Sequence, residues 1–199
     1  MRMLALLVTL TSLTHSGFLH ASGDPAAGKV KGYTCTGCHG IPGYKNSYPM
    51  YKVPKIGGQS STYLITALTA YKTGERLHPT MMLQAESLNR IDISDIASWL
   101  TSFDMETPAA TVARNSSVPD KTQTCQTCHG TDGLGTDPAY PALAGQHRSY
   151  IIRALRDYRD GSRKNAVMGG FARNLTDQDI EDLAGWYSGL QGLRDLSGR

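Results

Sequence analysis

The chain contains four cysteines in two pairs, and a histidine directly follows each pair: Cys35-Thr36-Gly37-Cys38-His39 and Cys125-Gln126-Thr127-Cys128-His129. Thiols spaced in this way fit one helical turn, where both can form thioethers to the vinyl groups of a single porphyrin. The next residue then offers its imidazole to the iron, which makes Cys-x-x-Cys-His the attachment signature of c-type haem. Other uses of paired cysteines explain less of the pattern. A four-cysteine zinc site calls for pairs roughly 15–20 residues apart, whereas Cys38 and Cys125 are separated by 87 positions. Structural disulfides in an oxidising compartment leave the two histidines unexplained. The motifs therefore imply two covalently attached haem c groups, bound by Cys35, Cys38, Cys125 and Cys128, with His39 and His129 as iron ligands.

An electron-carrying haem of this class takes methionine as its second axial ligand, and an internal repeat narrows the choice. Shifting residues 54–102 forward by 87 positions makes 18 of 49 positions identical. Pro54, Gly58, Gln59, Tyr63, Tyr71, Gly74 and Arg76 fall on Pro141, Gly145, Gln146, Tyr150, Tyr158, Gly161 and Arg163, and Trp99 falls on Trp186. The methionine pair shared by the two halves is Met81 with Met168, so these are the candidate sixth ligands. In the first half Met82 and His78 remain rivals. Met82 aligns with Gly169 and His78 with Asn165, although His78 follows His39 by the same 39 positions that separate Met168 from His129. The second half carries three extra residues between its motif and the shared proline, which accounts for that coincidence. A loop position facing solvent is expected for His78, and a surface position for His147.

These ligands need helices to hold them. Asp24-Pro25 offers an N-cap and a first-turn proline for a helix running into Cys35, and Ser116 to Lys121 plays that part before Cys125. Residues 61–73 and 149–160 repeat a Tyr, aliphatic, Ala, Leu, Tyr stripe at helical spacing, each stopped by glycine. Asn89 and Thr176 cap third helices, with Asp92 and Asp179 three residues on, running to about Phe103 and Leu190. Trp99 and Trp186 belong in the cores. The fold class expected is all-α: two tandem domains, each a small helical haem-binding fold, at residues 24–104 and 120–199, with a short polar linker at 105–119.

At 40% hydrophobic and 19% charged residues the chain can form packed cores without low-complexity tracts. Met1-Arg2-Met3 and the short apolar run to Leu13 read as a secretory signal peptide over residues 1–23. No later apolar run is long enough for a membrane span. The formal charge is only +3, and the arginines of 153–163 are interspersed with Asp157 and Asp160, so nucleic acid is not a partner.

With two Cys-x-x-Cys-His motifs, two methionine candidates, a Pro-x-x-x-Gly-Gln element in each half and a signal peptide, the chain resembles the two-haem class I cytochromes c of the cytochrome c4 type. The resemblance covers nearly the whole mature chain. It is strongest in the second half and looser around Gly40-Ile41-Pro42-Gly43-Tyr44. It implies that the carbonyls of Pro54 and Pro141 orient the ligand imidazoles. It also implies a periplasmic protein with no catalytic residues, carrying one electron per haem between a quinol-oxidising complex and a terminal oxidase or reductase. Such a carrier associates with the membrane only through its partners. The alternatives are a haem subunit of a larger oxidoreductase, or a two-haem enzyme with one unusual iron site.

Overall fold

The computed structural model describes residues 23–106 and 121–197. The expected signal peptide, most of the linker and the residues before Lys121 lie outside this range. Among the described residues the regular elements are helical, and the only β pairing consists of three isolated bridges. The first half comprises α1 (Pro25–Lys31), a 3-10 turn (Tyr33–Cys35), α2 (Thr36–His39), α3 (Ser61–Thr73), α4 (Pro79–Glu86) and α5 (Arg90–Thr101). The second comprises α6 (Thr122–His129), α7 (Arg148–Asp160), α8 (Ala166–Ala172) and α9 (Asp177–Ser188).

The capping chemistry sets most of these boundaries. Asp24 accepts a hydrogen bond from the Ala26 amide and Pro25 opens α1. Reciprocal capping boxes start α5 at Asn89 and Asp92 and α9 at Thr176 and Asp179. Helices α3 and α7 both end on glycine in the left-handed region, Gly74 at φ 76° and Gly161 at φ 80°, where a β-carbon would be strained. The first helix does not run unbroken into Cys35. It ends at Gly32, and the chain tightens into the 3-10 turn before the first cysteine motif.

Helix α1 lies against α5 at very close range. A β-carbon on Gly28 would come within 1.9 Å of the Asp95 carbonyl oxygen, so glycine is required there. Asp95 ties both ends of α1 to α5, accepting 2.8 Å from the Asp24 amide and 2.7 Å from Lys31 Nζ. These donors hold its carboxyl below the usual range, Lys31 having the larger effect. Trp99 packs beneath Gly28 and Gly32 and edge-on to Phe103, with ring centroids 5.6 Å apart, so it both fills the core and braces α1, the helix that precedes the first cysteine motif.

Leu64, Ile96, Ala97, Trp99, Leu100 and Phe103 form the first core, and Ile151, Leu183, Ala184, Trp186 and Tyr187 form the second. The first core also takes in Leu196, which arrives from the far end of the chain. The C-terminal segment crosses to the first half and is held there by Gly57 and Arg194, which exchange two backbone hydrogen bonds of 3.0 Å, and by the Leu196 amide, which donates 2.9 Å to the His39 carbonyl. Replacing Leu196 by alanine removes apolar volume from a closed core, which costs about 2–5 kcal/mol. Denaturant unfolding of L196A should reveal this loss, with the first half melting ahead of the second. Coincident, unshifted unfolding of both halves would contradict the tail's structural role.

Candidate haem-binding sites

The two cysteine motifs sit on short helices with their histidines turned inward. His39 and His129 are 8% and 6% exposed, a degree of burial that an imidazole tolerates only if its polar nitrogens find partners. Each ring donates through Nδ1 to a proline carbonyl, over 2.7 Å to Pro54 and 2.9 Å to Pro141. Burial pushes both imidazoles below their ordinary pKa, and the proline bonds oppose that shift. The rings are thus held neutral with Nε2 left as the free nitrogen, the form in which an imidazole ligates a metal.

None of the four cysteines is joined in a disulfide. Before haem attachment, burial raises the Cys35 thiol to about 11 and lifts Cys125 as well. Among the described residues no three His, Cys, Asp or Glu side chains are grouped so as to hold a metal ion.

The methionines lie on the two helices that the sequence reading did not anticipate, α4 and α8. Met81 and Met168 occupy the same third position of their helices. Each donates its backbone amide to the capping side chain, over 3.3 Å to His78 Nδ1 and 2.9 Å to Asn165 Oδ1. His78 is therefore not a solvent-facing loop residue. It is half-buried, caps α4 and packs edge-on to Tyr51. Met82 is one step further around α4, where the second half has Gly169. His147 is likewise partly buried rather than on the surface; it precedes α7 and faces Asp195 at 3.7 Å.

With this geometry in view, the comparisons with known proteins are unambiguous. The family model described as Cytochrome c matches residues 120–190. Cytochrome c4 of Azotobacter vinelandii is 32% identical over 94% of this chain and 98% of its own length. The chain belongs to the cytochrome c4 family. The crystal structure of reduced recombinant cytochrome c4 from Pseudomonas stutzeri aligns with a TM-score of 0.67 at 29% identity, covering 84% of this chain and 99% of that one. A more distant relative, a thiosulfate dehydrogenase electron acceptor of Thiomonas intermedia (strain K12), is 27% identical over 94% of this chain and 91% of its own. As a cytochrome c4, the chain is a dihaem electron-transfer protein with covalently bound haem c, and its two halves are cytochrome c domains.

Membership in this family gives meaning to a polar cluster between the halves. Arg163 donates 3.0 Å to the Tyr63 hydroxyl, and Arg76 donates to the Tyr150 hydroxyl. Arg76 also stacks 4.4 Å over Tyr71, and Arg163 stacks 4.4 Å over Tyr158. Every member has its repeat equivalent in the other half, so the contact is close to two-fold symmetric. Burial alone would raise the Tyr63 phenol, yet the two guanidinium groups pull it down to about 8. The ion pairs found among the described residues lie elsewhere, leaving two half-buried cations beside one another with no protein carboxylate between them. The repeat had marked these positions as identical, but nothing local in the sequence said that the copies meet.

A hydrogen bond to a charged group contributes about 1.5–3 kcal/mol when its partner is buried. Tyr63→Phe should lower thermal stability by about this amount, and Tyr63→Phe/Tyr150→Phe by more, whereas Tyr44→Phe, at an exposed position, should change it little. Unaltered melting of the double variant would rule out the cluster as an interdomain contact.

Proposed function

We propose that this cytochrome c4 is a periplasmic electron carrier with two His/Met centres: Cys35, Cys38, His39 and Met81 for the first haem, and Cys125, Cys128, His129 and Met168 for the second. The observation that carries this reading is the matched pair of buried imidazoles, each pinned through Nδ1 to a proline carbonyl and each followed by a methionine at the third position of a capped helix.

When bound, each haem supplies a one-electron iron couple. The chain's own residues fit that group. The thiols anchor it, and the imidazoles offer a single unprotonated nitrogen whose direction Pro54 and Pro141 fix. Arg76 and Arg163, each bonded to a tyrosine hydroxyl of the other half, would supply positive charge for haem carboxylates that leave water. Methionine sulfur favours the reduced iron and raises the potential. With His39 and Met81 holding the first haem iron and His129 and Met168 the second, neither centre would offer a substrate a place on the metal.

The domain limits that accompany this reading are a signal peptide over 1–23, a first cytochrome c domain over 24–104, a linker over 105–119 and a second domain over 120–199. Export through the signal peptide brings the protein to the periplasm. There it takes electrons from a quinol-oxidising complex and passes them to a terminal oxidase or reductase through small transient interfaces, meeting the membrane only through those partners. Among the described residues no helix is long and apolar enough to cross a membrane.

Separate Met81→Ala and Met82→Ala substitutions test the less obvious ligand. The holoprotein of M81A should lose one of two methionine-to-iron charge-transfer bands, and the potential of that haem should fall, while M82A should keep both bands. Unchanged spectra for M81A, or band loss in M82A, would overturn the assignment.

A further inference from the structure

We propose that Gln59 and Gln146 are positioning residues that act across the domain interface, each glutamine setting the proximal histidine of the haem in the other half. The inference rests on His39 and His129 being the proximal ligands and concerns what holds them.

The proline that receives each imidazole lies outside any helix, and neither it nor the residue after it takes part in a β bridge. The residue after it is therefore the natural place to fix the carbonyl's position. In the first half that residue is Lys55. Its amide donates 2.9 Å to Gln146 Oε1, and its carbonyl accepts 2.9 Å from Gln146 Nε2. In the second half it is Ala142. Its amide donates 2.9 Å to Gln59 Oε1, and its carbonyl accepts 3.0 Å from Gln59 Nε2. Each side-chain amide thus closes a two-point bond on a backbone unit directly adjoining the other half's imidazole acceptor. No side chain other than Asn or Gln presents a donor and an acceptor in this arrangement, and Asn is one methylene shorter.

Both glutamines are buried, at 4% and 5% exposure, so water does not substitute freely for either bond. Their own backbones are rigid. The preceding glycines donate to the third helices, Gly58 to the Leu100 carbonyl at 2.9 Å and Gly145 to the Tyr187 carbonyl at 3.1 Å. Each clamp therefore runs from α5 or α9 of one half, through a glutamine, to the proline carbonyl and imidazole of the other. The strength of the Nδ1–H bond sets how strongly an imidazole donates to iron, and stronger donation favours the oxidised state. Loosening a clamp should raise the potential of the opposite haem.

The test is potentiometric titration of the holoproteins of wild type, Gln146→Ala, Gln146→Met and Gln59→Ala, with hydrogen exchange at the Lys55 and Ala142 amides. Q146A should raise the first haem's potential by about three- to tenfold in its reduction equilibrium, roughly 30–60 mV for one electron. It should speed exchange at Lys55 and leave the second haem unmoved. Q59A should do the converse, with faster exchange at Ala142. Q146M, which keeps the length and volume of the side chain but neither donor nor acceptor, should shift the same haem in the same direction and covers the case in which Q146A folds poorly. Equal shifts at both haems, a shift confined to the mutated half, or no shift would each overturn the inference. If wild type itself lacks two His/Met spectra, the ligand assignment has failed instead, and the exchange data still report whether the clamp exists.

Discussion

A neutral imidazole buried in a protein core needs its N–H satisfied, and here one proline carbonyl per half meets that need. Much of the architecture follows from keeping those two carbonyls in place. The loop from each cysteine motif must return to deliver its proline beneath the motif helix. The Pro-x-x-x-Gly-Gln stretch must keep its turn, closed by the Gln59 and Gln146 amides on the Ile56 and Leu143 carbonyls, and the helix after it must begin where that stretch ends. The backbone groups next to each proline, on Lys55 and Ala142, are satisfied by the glutamine of the other half.

This reaching across makes the two halves interdependent. Glutamine meets backbone in both directions, arginine meets tyrosine in both directions, and the C-terminal segment inserts Leu196 into the first core while its amide bonds the His39 carbonyl. The repeat is not complete. His78 caps the first methionine helix where Asn165 caps the second, and Met82 and Leu83 stand where the second half has Gly169 and Gly170. The C-terminal tail places Leu196 in the first core. The two repeat-related haem sites therefore sit in different surroundings, a physical basis on which their potentials would differ.

The long helices and the motif chemistry were legible in the sequence because both are local. The tyrosine stripe gave α3 its observed limits and α7 to within one residue, and the Asn89 and Thr176 capping boxes begin α5 and α9 as their spacing required. Helices α4 and α8 were missed because they are only 8 and 7 residues long and carry no apolar period; a proline opens one and paired glycines interrupt the other. The same oversight made His78 look like a loop residue. Gln59 and Gln146 were visible as repeat identities, but their partners are backbone groups, which leave no mark on residue type. Leu196 lies after the last helix, and nothing near it announces a core more than 90 residues away.

The central claim is that both irons are closed by histidine and methionine, in centres that differ only in their surroundings. Near-infrared absorption and EPR spectra of the oxidised holoprotein, with carbon monoxide then added to the reduced form, test it most directly. The account predicts methionine-to-iron charge-transfer intensity for two haems and no carbon monoxide binding at either. A single such centre, with the other haem taking up carbon monoxide readily, would contradict it.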